Sequence, residues 1–474
     1  MKKISFIIYF LAISLFASAQ QEYSMHFMRD VWNSNYTNPG LQPYQKFFIT
    51  GTSVGASVSL KGLGDTPMFV KDANGAFTPN YQEIVDNLDQ DFRIRSNLSA
   101  ELFGIGFKVK KLFFSLGTST KVTTQVVLPK DLFQLAWRGN EAFIGETVEF
   151  GPGVDIEAYQ ELALGVNYSF NRKLSAGIRV KRLTGIFSAS TTADEISLTT
   201  GDNHYETSIQ TNYIANISSS FLNIVAPQDG NVMNTTATFN QAALDEIVDN
   251  RQFPSGNSGW AGDFGVSLNL KDRIELSVSA LDLGYIDWTS GVSGLQSTGD
   301  FEFDGLTFEQ ATSGSTVSFI AVEDSLLSLL NVESVAGNTF RTNLSPKFYA
   351  SALIKYGHWQ LGGMWYNEFA PNNEIISSIG LSGRYVLDDK LSLGAVYAYH
   401  DGRFDNIGVN TSFRLGPLQF HVIVDNIFPL FNPATIEYTN IRAGFNIVFG
   451  TKKMRKFRKG KADEPEVPRN SESN

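Results

Sequence analysis

The chain of 474 residues contains no cysteine. It therefore has no disulfide, no cysteine to accept a lipid anchor and no thiolate ligand for a metal. Long apolar runs are also scarce: the one clear case, residues 4–16, follows two lysines and precedes three small residues. This order predicts a secretory signal peptide at residues 1–19, so that Gln20 is the first residue of the mature chain.

After residue 19 the sequence has no unbroken apolar stretch of the roughly 20 residues that a membrane-spanning helix needs. Such a chain enters a membrane only as a closed sheet, because open sheet edges cannot face lipid. The whole chain has a net charge of −10. The signal contributes two lysines, and the tail 451–474 contributes eight basic and four acidic residues. Without these two segments the chain has 28 basic and 44 acidic residues, a net charge of −16. This acidic body argues against binding to nucleic acid.

About a dozen short segments alternate apolar residues with small or polar ones, a pattern that predicts β-strands with two different faces. The last segment places Ile441, Ala443, Phe445, Ile447 and Phe449 on one face, and Arg442, Gly444, Asn446 and Val448 on the other. A strand of this kind suits a wall between lipid and a wet lumen. The competing fold is a soluble sandwich or jelly roll, in which the same alternation points into a core.

Aromatic residues favour the membrane wall over the soluble sandwich. Girdles of aromatic side chains are expected on the lipid-facing side of a barrel, near both membrane interfaces. Eight aromatic residues share the apolar face of their strands: Trp359, Trp365, Phe369, Tyr385, Tyr397, Tyr399, Phe413 and Phe449. The sequence therefore predicts an all-β transmembrane barrel.

The connections between segments predict the number of strands. Six connections are very short, at 110–111, 171–173, 271–272, 357, 388–390 and 416–417. Long or variable excursions separate them, at about 61–91, 129–157, 189–258, 290–344, 370–375, 402–403 and 427–437. Outer-membrane barrels have short periplasmic turns and longer extracellular loops. Six hairpins, with a first strand Phe47–Leu60 and a last strand Tyr438–Phe449, give about fourteen antiparallel strands in up-and-down order.

The excursion 189–258 leaves an alternative open. It contains a strand-like stretch at about 204–219, which we assign to an external hairpin, and a short predicted helix at 241–250. If 204–219 belonged to the wall together with a partner strand, the barrel would have sixteen strands.

The chain resembles Bacteroidota outer-membrane β-barrel proteins of unknown function, within the broader group of long-chain fatty-acid-transporter-type barrels. The resemblance extends over about residues 23–450 and depends on the order and spacing of several short motifs. These are Asn38-Pro39, 128–133 with Gly139-Asn140, 259–265, 282–288, and 415–420 with 425–427. It implies a barrel in the outer membrane and supplies no catalytic or ligand-binding residue.

The sequence shows no pattern for catalysis. No two of the five histidines (His26, His204, His358, His400 and His421) have metal-ligand spacing. There is no G-x-S-x-G nucleophile motif, phosphate-binding loop or dinucleotide fingerprint. The stretch Asp401–Asn406 lacks the ligand spacing and final glutamate of an EF-hand, so we interpret it as a tight turn. We predict a protein that is not an enzyme and uses no metal or cofactor.

Charged and polar residues on the non-apolar faces form the candidate site. We name them the lumen candidates: Arg93, Arg95, Glu101, Arg179, Lys181, Glu275, Arg384, Arg414, His421, Asp425 and Arg442. Arg or Lys facing lipid at mid-bilayer costs about 2–4 kcal/mol, so these residues are expected in the lumen or near an interface. Either they pair and fill a plugged interior, or they line a passage and set its charge preference.

This assignment of faces predicts where a new arginine is tolerated. It should hinder membrane assembly at Ile178 or Leu393, on the apolar faces, more than at Gly177 or Ser392.

The expected organisation has four parts. The signal peptide at 1–19 is followed by a periplasmic N-terminal segment at 20–46, which is a candidate plug, and by the barrel at 47–450. The tail 451–474 is basic and then acidic, and we interpret it as a disordered periplasmic extension. Contact of its basic run with anionic headgroups or with a periplasmic protein is the alternative.

The expected location is the outer membrane of a Gram-negative bacterium. The expected partners are its lipid, the barrel-assembly machinery through the strand ending at Phe449, and a periplasmic or surface protein. Two functions stay open: passive uptake of a small or hydrophobic solute, and a structural anchor or assembly partner for a surface or secretion complex.

Overall fold

The computed structural model describes most of the chain between residues 23 and 450. The gaps inside this range are 65, 68, 72–76, 89–90, 203–205, 220–221, 226–235, 241–255, 271–272, 304–332, 372–373, 388–389, 401 and 432–437. The predicted signal peptide, the helix expected at 241–250 and the tail 451–474 therefore lie outside the described residues.

Fourteen long strands form a single wall in which neighbours run antiparallel. They are β1 (Phe47–Lys61), β2 (Phe92–Val109), β3 (Leu112–Leu128), β4 (Gly153–Ser169), β5 (Leu174–Thr200), β6 (Ser258–Leu270), β7 (Ile274–Trp288), β8 (Lys347–Tyr356), β9 (Trp359–Phe369), β10 (Ile375–Leu387), β11 (Leu391–His400), β12 (Arg403–Leu415), β13 (Leu418–Asp425) and β14 (Tyr438–Phe449).

The wall closes on itself because β1 pairs with β14 as well as with β2. Phe47 lies opposite Phe449 at one end of this seam, and Ser59 lies opposite Tyr438 at the other. Every other strand pairs with the next one, including β5 with β6 and β7 with β8 across the two longest excursions. The predicted fourteen-stranded up-and-down barrel is confirmed.

The sixteen-strand alternative is wrong. Thr207–Ser219 forms an external hairpin with the outer half of β5, as in the pair Phe187 and Ser219. On its other side it pairs with Val292–Phe303, which also lies outside the closed ring.

The two ends of the barrel differ in their connections. We call one the turn end, because short turns join its strands at 110–111, 170–173, 357–358 and 416–417. The other, the loop end, carries the long connections. Short strands there are Phe69–Lys71, Phe77–Pro79, Thr147–Glu149, Leu222–Val225, Thr236–Phe239, Glu333–Ala336 and Phe340–Asn343.

Helices are short. They are α1 (Tyr23–Phe27), α2 (Tyr81–Asn87), α3 (Lys130–Arg138) and α4 (Phe428–Phe431), with 3-10 turns at Trp32–Tyr36 and Asn140–Phe143. Among the described residues, no helix is both long enough and apolar enough to cross a membrane.

Two loop-end helices, α2 and α3, contact each other through polar side chains. Trp137 donates a hydrogen bond to Gln82 (3.0 Å), and Arg138 pairs with Asp86. The hydrogen bond from Gln82 and the pairing with Arg138 lower the pKa of the Asp86 carboxyl. These contacts connect the first and second long loops of the loop end.

Burial alternates along the barrel strands, as the sequence pattern predicts. On β10 the exposed fractions are 54% for Ile375, 55% for Ile379 and 61% for Leu381, whereas Ser378 and Arg384 are each 1% exposed. Successive side chains point to opposite sides of a strand. The outside of the barrel is therefore apolar, and its inside is polar.

Candidate functional site

Residues 23–45, which we call the N-terminal segment, lie inside the barrel. Except for half-buried Tyr36, every residue from 23 to 41 is buried. Tyr23 reaches the loop-end half, where its hydroxyl donates to Ser378 (2.6 Å). Near the turn end, Trp32 stacks on Phe48 with ring centroids 3.9 Å apart. The segment thus extends through much of the height of the lumen.

Ion pairs attach the N-terminal segment to the wall on two sides. Asp30 pairs with Arg384 on β10 at 2.8 Å, and Arg29 pairs with Glu275 on β7 at 2.6 Å. Lys355 on β8 also contacts Glu275, at 2.8 Å. Since Arg29, Asp30, Glu275 and Arg384 are buried, each of these charges depends on its partner for stabilisation.

Glycines on the wall allow the segment to approach closely. A side chain at Gly177 on β5 would collide with the carbonyl oxygen of Pro39. A Cβ atom at Gly265 on β6 would lie 3.0 Å from Asn38 Cγ. Asn167 on β4 donates a 2.8 Å hydrogen bond to Pro39. The small residues on β5 and β6 thus leave room for Asn38 and Pro39 to lie against the wall.

The prediction that arginine is tolerated better at Gly177 or Ser392, on the inward face, therefore needs correction. Gly177 has no room for a side chain, because Pro39 lies against it. Ser392 is 1% exposed, and its hydroxyl contacts Asp30 at 3.0 Å and Arg384 at 2.6 Å. A new arginine fits neither position, since both are occupied by packing that the sequence pattern does not reveal.

At mid-height, seven charged side chains from six consecutive strands meet in a group that we call the central ion cluster. Its members are Lys121 on β3, Glu161 on β4, Arg179 and Lys181 on β5, Asp263 on β6, Asp282 on β7 and Lys347 on β8. Lys181 Nζ lies 2.8 Å from Asp263 and 2.6 Å from Asp282. Four cations face three carboxylates, so the cluster has a formal charge of +1.

A β-bulge places Asp282 in this cluster. The register between β6 and β7 shifts at Gly262 and Phe264, and Leu281 and Asp282 are both buried although they are adjacent. Asp282 has φ +57°, in the left-handed region that Asp adopts more readily than most residues. Its amide donates to Asp263 (2.8 Å), which stabilises the irregular backbone.

Three cavities adjoin one another along the inside of β3, β4 and β5. The outer cavity, toward the loop end, has a volume of about 300 Å³. The middle cavity, of about 70 Å³, shares Asp282 and Lys347 with it. The inner cavity, of about 10 Å³, shares Tyr36 and Glu161 with the middle one. The row runs from the loop end toward the turn end, and its middle and inner cavities border the N-terminal segment at Trp32, Tyr36 and Thr37.

Residues that line two cavities at once mark the boundaries between them. The Lys347–Asp282 ion pair, 2.8 Å long, lies between the outer and middle cavities. Tyr36 of the N-terminal segment borders both the middle and inner cavities and donates a hydrogen bond to Glu101 on β2. Joining the cavities therefore requires only that a few side chains rotate, which is a smaller change than breaking hydrogen bonds between strands of the wall.

The structure places nine of the eleven lumen candidates inside the barrel and two at its ends. Buried ones are Arg95, Glu101, Arg179, Lys181, Glu275, Arg384, His421, Asp425 and Arg442. Arg93 is half-buried at the loop end beside Glu374 (3.3 Å), and Arg414 donates to Gly416 (2.8 Å) at the turn end. Their role in any passage stays a prediction.

Several buried or half-buried charged residues inside the barrel were not among the lumen candidates. They are Lys121, Glu161, Asp263, Asp282, Lys347, Lys355 and Glu368. Lys121 and Glu161 lie opposite inward-facing neighbours, Ser99 and Ser119, so strand parity could have identified them. Asp282 could not be found in this way, because the bulge breaks the alternation.

The histidines are dispersed. His26 lies in the N-terminal segment and stacks on Tyr349, His400 contacts Ser378 (2.8 Å), and His358 donates to Val386 (2.8 Å) at the turn end. Among the described residues, no three His, Asp or Glu side chains are grouped to hold a metal ion. His204 lies outside them.

A sequence model of the family of unknown function DUF5723 matches residues 39–425. No curated protein matches the chain.

Solved structures with a similar arrangement include the toluene transporter TodX of Pseudomonas putida, with 10% identity, TM-score 0.39, and coverage of 88% of this chain and 92% of that chain. A FadL homologue of Pseudomonas aeruginosa has 10% identity, TM-score 0.40, and coverage of 89% and 94%. The translocator domain of the Neisseria meningitidis autotransporter NalP has 9% identity, TM-score 0.31, and coverage of 86% and 91%. Likenesses this distant carry no conclusion about function.

Proposed function

The chain belongs to the family of unknown function DUF5723, and we propose that it is a non-enzymatic barrel of the Gram-negative outer membrane that lets a small solute pass passively. In this proposal the turn end faces the periplasm and the loop end faces outward. The N-terminal segment is a plug that keeps the passage shut at rest. The barrel-assembly machinery engages the strand that ends at Phe449.

The apolar outer face supports the membrane location. Leu381, Ile379 and Leu393 are each more than half exposed and lie on neighbouring strands β10 and β11. Tyr397, which lies opposite Leu381, is 45% exposed. Water-soluble monomers rarely expose contiguous apolar patches larger than a few hundred Å². Lipid is the surrounding that stabilises such a surface.

The row of three cavities is the observation that carries the proposed passage. Its middle and inner cavities border the N-terminal segment, and the barriers within the row include the Lys347–Asp282 pair and Tyr36. The segment is attached partly by ion pairs and hydrogen bonds. These can exchange for water as the segment shifts, which would join the cavities.

A small polar solute fits this interior better than a hydrophobic one. The outer cavity is lined mainly by hydroxyl, amide and charged groups, and the middle one by the central ion cluster. An apolar molecule would desolvate these groups without replacing their hydrogen bonds, which is costly. The sequence leaves a small or a hydrophobic solute open; we therefore propose a small solute that is polar.

A reversible disulfide tests whether movement of the N-terminal segment opens the passage. The natural chain has no cysteine, and Asn38 and Gly265 are close enough for a cysteine pair, as the 3.0 Å distance to Asn38 Cγ indicates. The Cβ atom of a cysteine at 265 would lie 2.7 Å from the backbone nitrogen of Gly40, so the Gly265→Cys single variant is needed as a control for displacement of the segment. In planar bilayers, oxidised Asn38→Cys/Gly265→Cys protein should show no conductance above the bare membrane. Reduction should return it to the level of the Gly265→Cys single variant, and neither single variant should respond to oxidant.

Equal conductance of the oxidised and reduced forms would overturn the proposed plug movement.

The second candidate function is a structural anchor or assembly partner without transport, and the nearly complete burial of residues 23–41 favours it. Wild-type and reduced protein that never conduct, together with no entry of small sugars or peptides into liposomes, would support the anchor.

A further inference from the structure

Five basic side chains lie on one side of the turn end, in a group that we call the basic rim. Two of them, Lys110 and Lys111, form the turn between β2 and β3. Arg172 and Lys173 belong to the turn between β4 and β5, and Lys46 comes just before β1. All five residues are exposed. The barrel therefore presents a group of accessible cations at this end.

Strand pairing and hydrogen bonds bring these cations together. Because β3 pairs with β4, the two turns at their ends are neighbours. Lys111 Nζ donates a 3.0 Å hydrogen bond to the carbonyl of Phe170, from one turn to the other. The carbonyl of Lys46 accepts a 2.8 Å hydrogen bond from the amide of Lys108, two residues before the first turn. The basic rim thus extends over the ends of five consecutive strands, β1 to β5.

No acidic residue of these strands compensates the charge of the basic rim. Residues 102–130 and 162–193, which contain both turns and the adjoining parts of their strands, include no Asp or Glu. Within the described part of the chain, no ion pair involves any of the five cations. Other turns of this end carry Asp272, Asp388 and Asp389 in the sequence, and the connection 129–152 at the loop end has four acidic and two basic residues. Positive charge is therefore concentrated on this side of the turn end.

The basic rim directly adjoins the apolar outer face of the wall. Lys110 follows Val109, which is 47% exposed, and Arg172 comes two residues after Phe170, which is 49% exposed. One residue of extended chain spans at most about 3.6 Å, so these cations lie within about 7 Å of the apolar face along the chain. Aromatic side chains mark the membrane interfaces of a barrel, and the Phe170 ring lies 4.9 Å from that of Tyr168. Apolar stems let Lys and Arg charges reach the headgroup layer beside such a face.

We propose that the basic rim binds the anionic headgroups of phospholipids in the periplasmic leaflet, and this inference rests on the proposed membrane location and orientation. Basic clusters beside a membrane attract anionic lipid, and each cation near the surface strengthens binding roughly fivefold. The phosphate of a headgroup accepts strong hydrogen bonds from Lys and Arg. Lipid fits better than a protein or the cell wall, because a turn of two residues keeps Lys110 and Lys111 at the edge of the wall.

Native mass spectrometry of the full mature chain in an uncharged detergent tests this preference. The protein is incubated with an equal mixture of phosphatidylglycerol and phosphatidylcholine that have identical acyl chains, and the retained lipids are counted. Complexes with phosphatidylglycerol should exceed those with phosphatidylcholine by at least about fivefold. Equal retention of the two lipids would overturn the proposal. If the protein then co-sedimented with isolated peptidoglycan, the cell wall would replace lipid as the partner.

Two variants of the same turns provide a matched comparison. The glutamine variant, Lys110→Gln/Lys111→Gln/Arg172→Gln/Lys173→Gln, should prefer phosphatidylglycerol by less than about twofold. The arginine variant, Lys110→Arg/Lys111→Arg/Lys173→Arg, keeps every charge and should retain the wild-type preference. Unheated gel mobility verifies that both variants are folded. Equal losses in the two folded variants would contradict the assignment. Both keep the basic tail 451–474, so a preference that survives in the glutamine variant would belong to the tail and overturn the proposal.

Conductance in planar bilayers separates this inference from the proposed function. The basic rim lines none of the three cavities, so the glutamine variant should conduct as the wild type does. Lipid preference without conductance in any form would refute the passage and leave the basic rim standing. Conductance with equal retention of both lipids would refute the basic rim and leave the passage standing. Folded protein that stays in solution without detergent would refute the membrane location on which both depend.

Discussion

Arginine substitutions on one strand can measure whether the apolar face lies in lipid. Leu381 is the middle residue of β10, is 61% exposed, and lies opposite Gly363 and Tyr397 on the adjacent strands. Ile375, on the same face, is the first residue of β10 at the loop end and is 54% exposed. The two positions match in strand, face and exposure, and differ in expected depth.

The expected magnitudes follow from that depth. An arginine facing lipid costs about 2–4 kcal/mol at the bilayer midplane and about 0–1 kcal/mol near an interface. We therefore expect Leu381→Arg to lower the free energy of unfolding from lipid by about 2–3 kcal/mol more than Ile375→Arg does. Because about 1.4 kcal/mol corresponds to a factor of ten, the folded population at the midpoint of denaturation should fall strongly for the first variant only.

Folding into short-chain lipid vesicles, titrated with urea, provides the assay. The folded fraction is read from the gel band that migrates differently before and after boiling. If the exposed face contacted water, both arginines would be ordinary surface substitutions, usually within about 0.5 kcal/mol of the parent. Equal, small effects at Leu381 and Ile375 would refute the membrane-facing assignment.

Further substitutions test the packing of the N-terminal segment. Asp30→Leu should destabilise the folded barrel by about 3–5 kcal/mol in the same titration, because Arg384 stays buried and charged without its partner. Adding Arg384→Met should recover part of that loss. A double variant no more stable than Asp30→Leu alone would contradict the pairing. Gly177→Ala should cost about 1–3 kcal/mol by colliding with Pro39, whereas Gly363→Ala, whose nearest neighbour would be 3.6 Å away, should change stability little. Equal effects of the two alanines would argue against the close approach.

The wall of the barrel could be predicted from the sequence because its signals are local. Alternation sets the two faces of each strand, as in Leu162–Phe170, and short polar turns such as Lys110-Lys111 mark the hairpins. The first and last strands were predicted within a residue of their observed bounds. Membership of a family of unknown function could also be recognised from the order of short motifs.

The contents of the barrel could not be predicted to the same extent, because they depend on residues distant in the chain. The Tyr23 hydroxyl donates a hydrogen bond to Ser378, 355 positions away, and no local sequence pattern predicts that contact. The bulge that turns Asp282 inward breaks the alternation from which parity is counted. Eleven lumen candidates could be chosen from strand parity, but their partners on the N-terminal segment required the structure.

Hydrogen–deuterium exchange of the refolded full chain in lipid nanodiscs tests the central claim, a closed cylinder filled by its own N-terminal segment. The account predicts slow exchange along both β1 and β14, since their seam pairs Phe47 with Phe449 and Ser59 with Tyr438. It also predicts slow exchange at internally bonded amides of the segment, such as those of Val31 and Leu41. Rapid exchange along one edge of β1 or β14, or throughout residues 23–45, would contradict it.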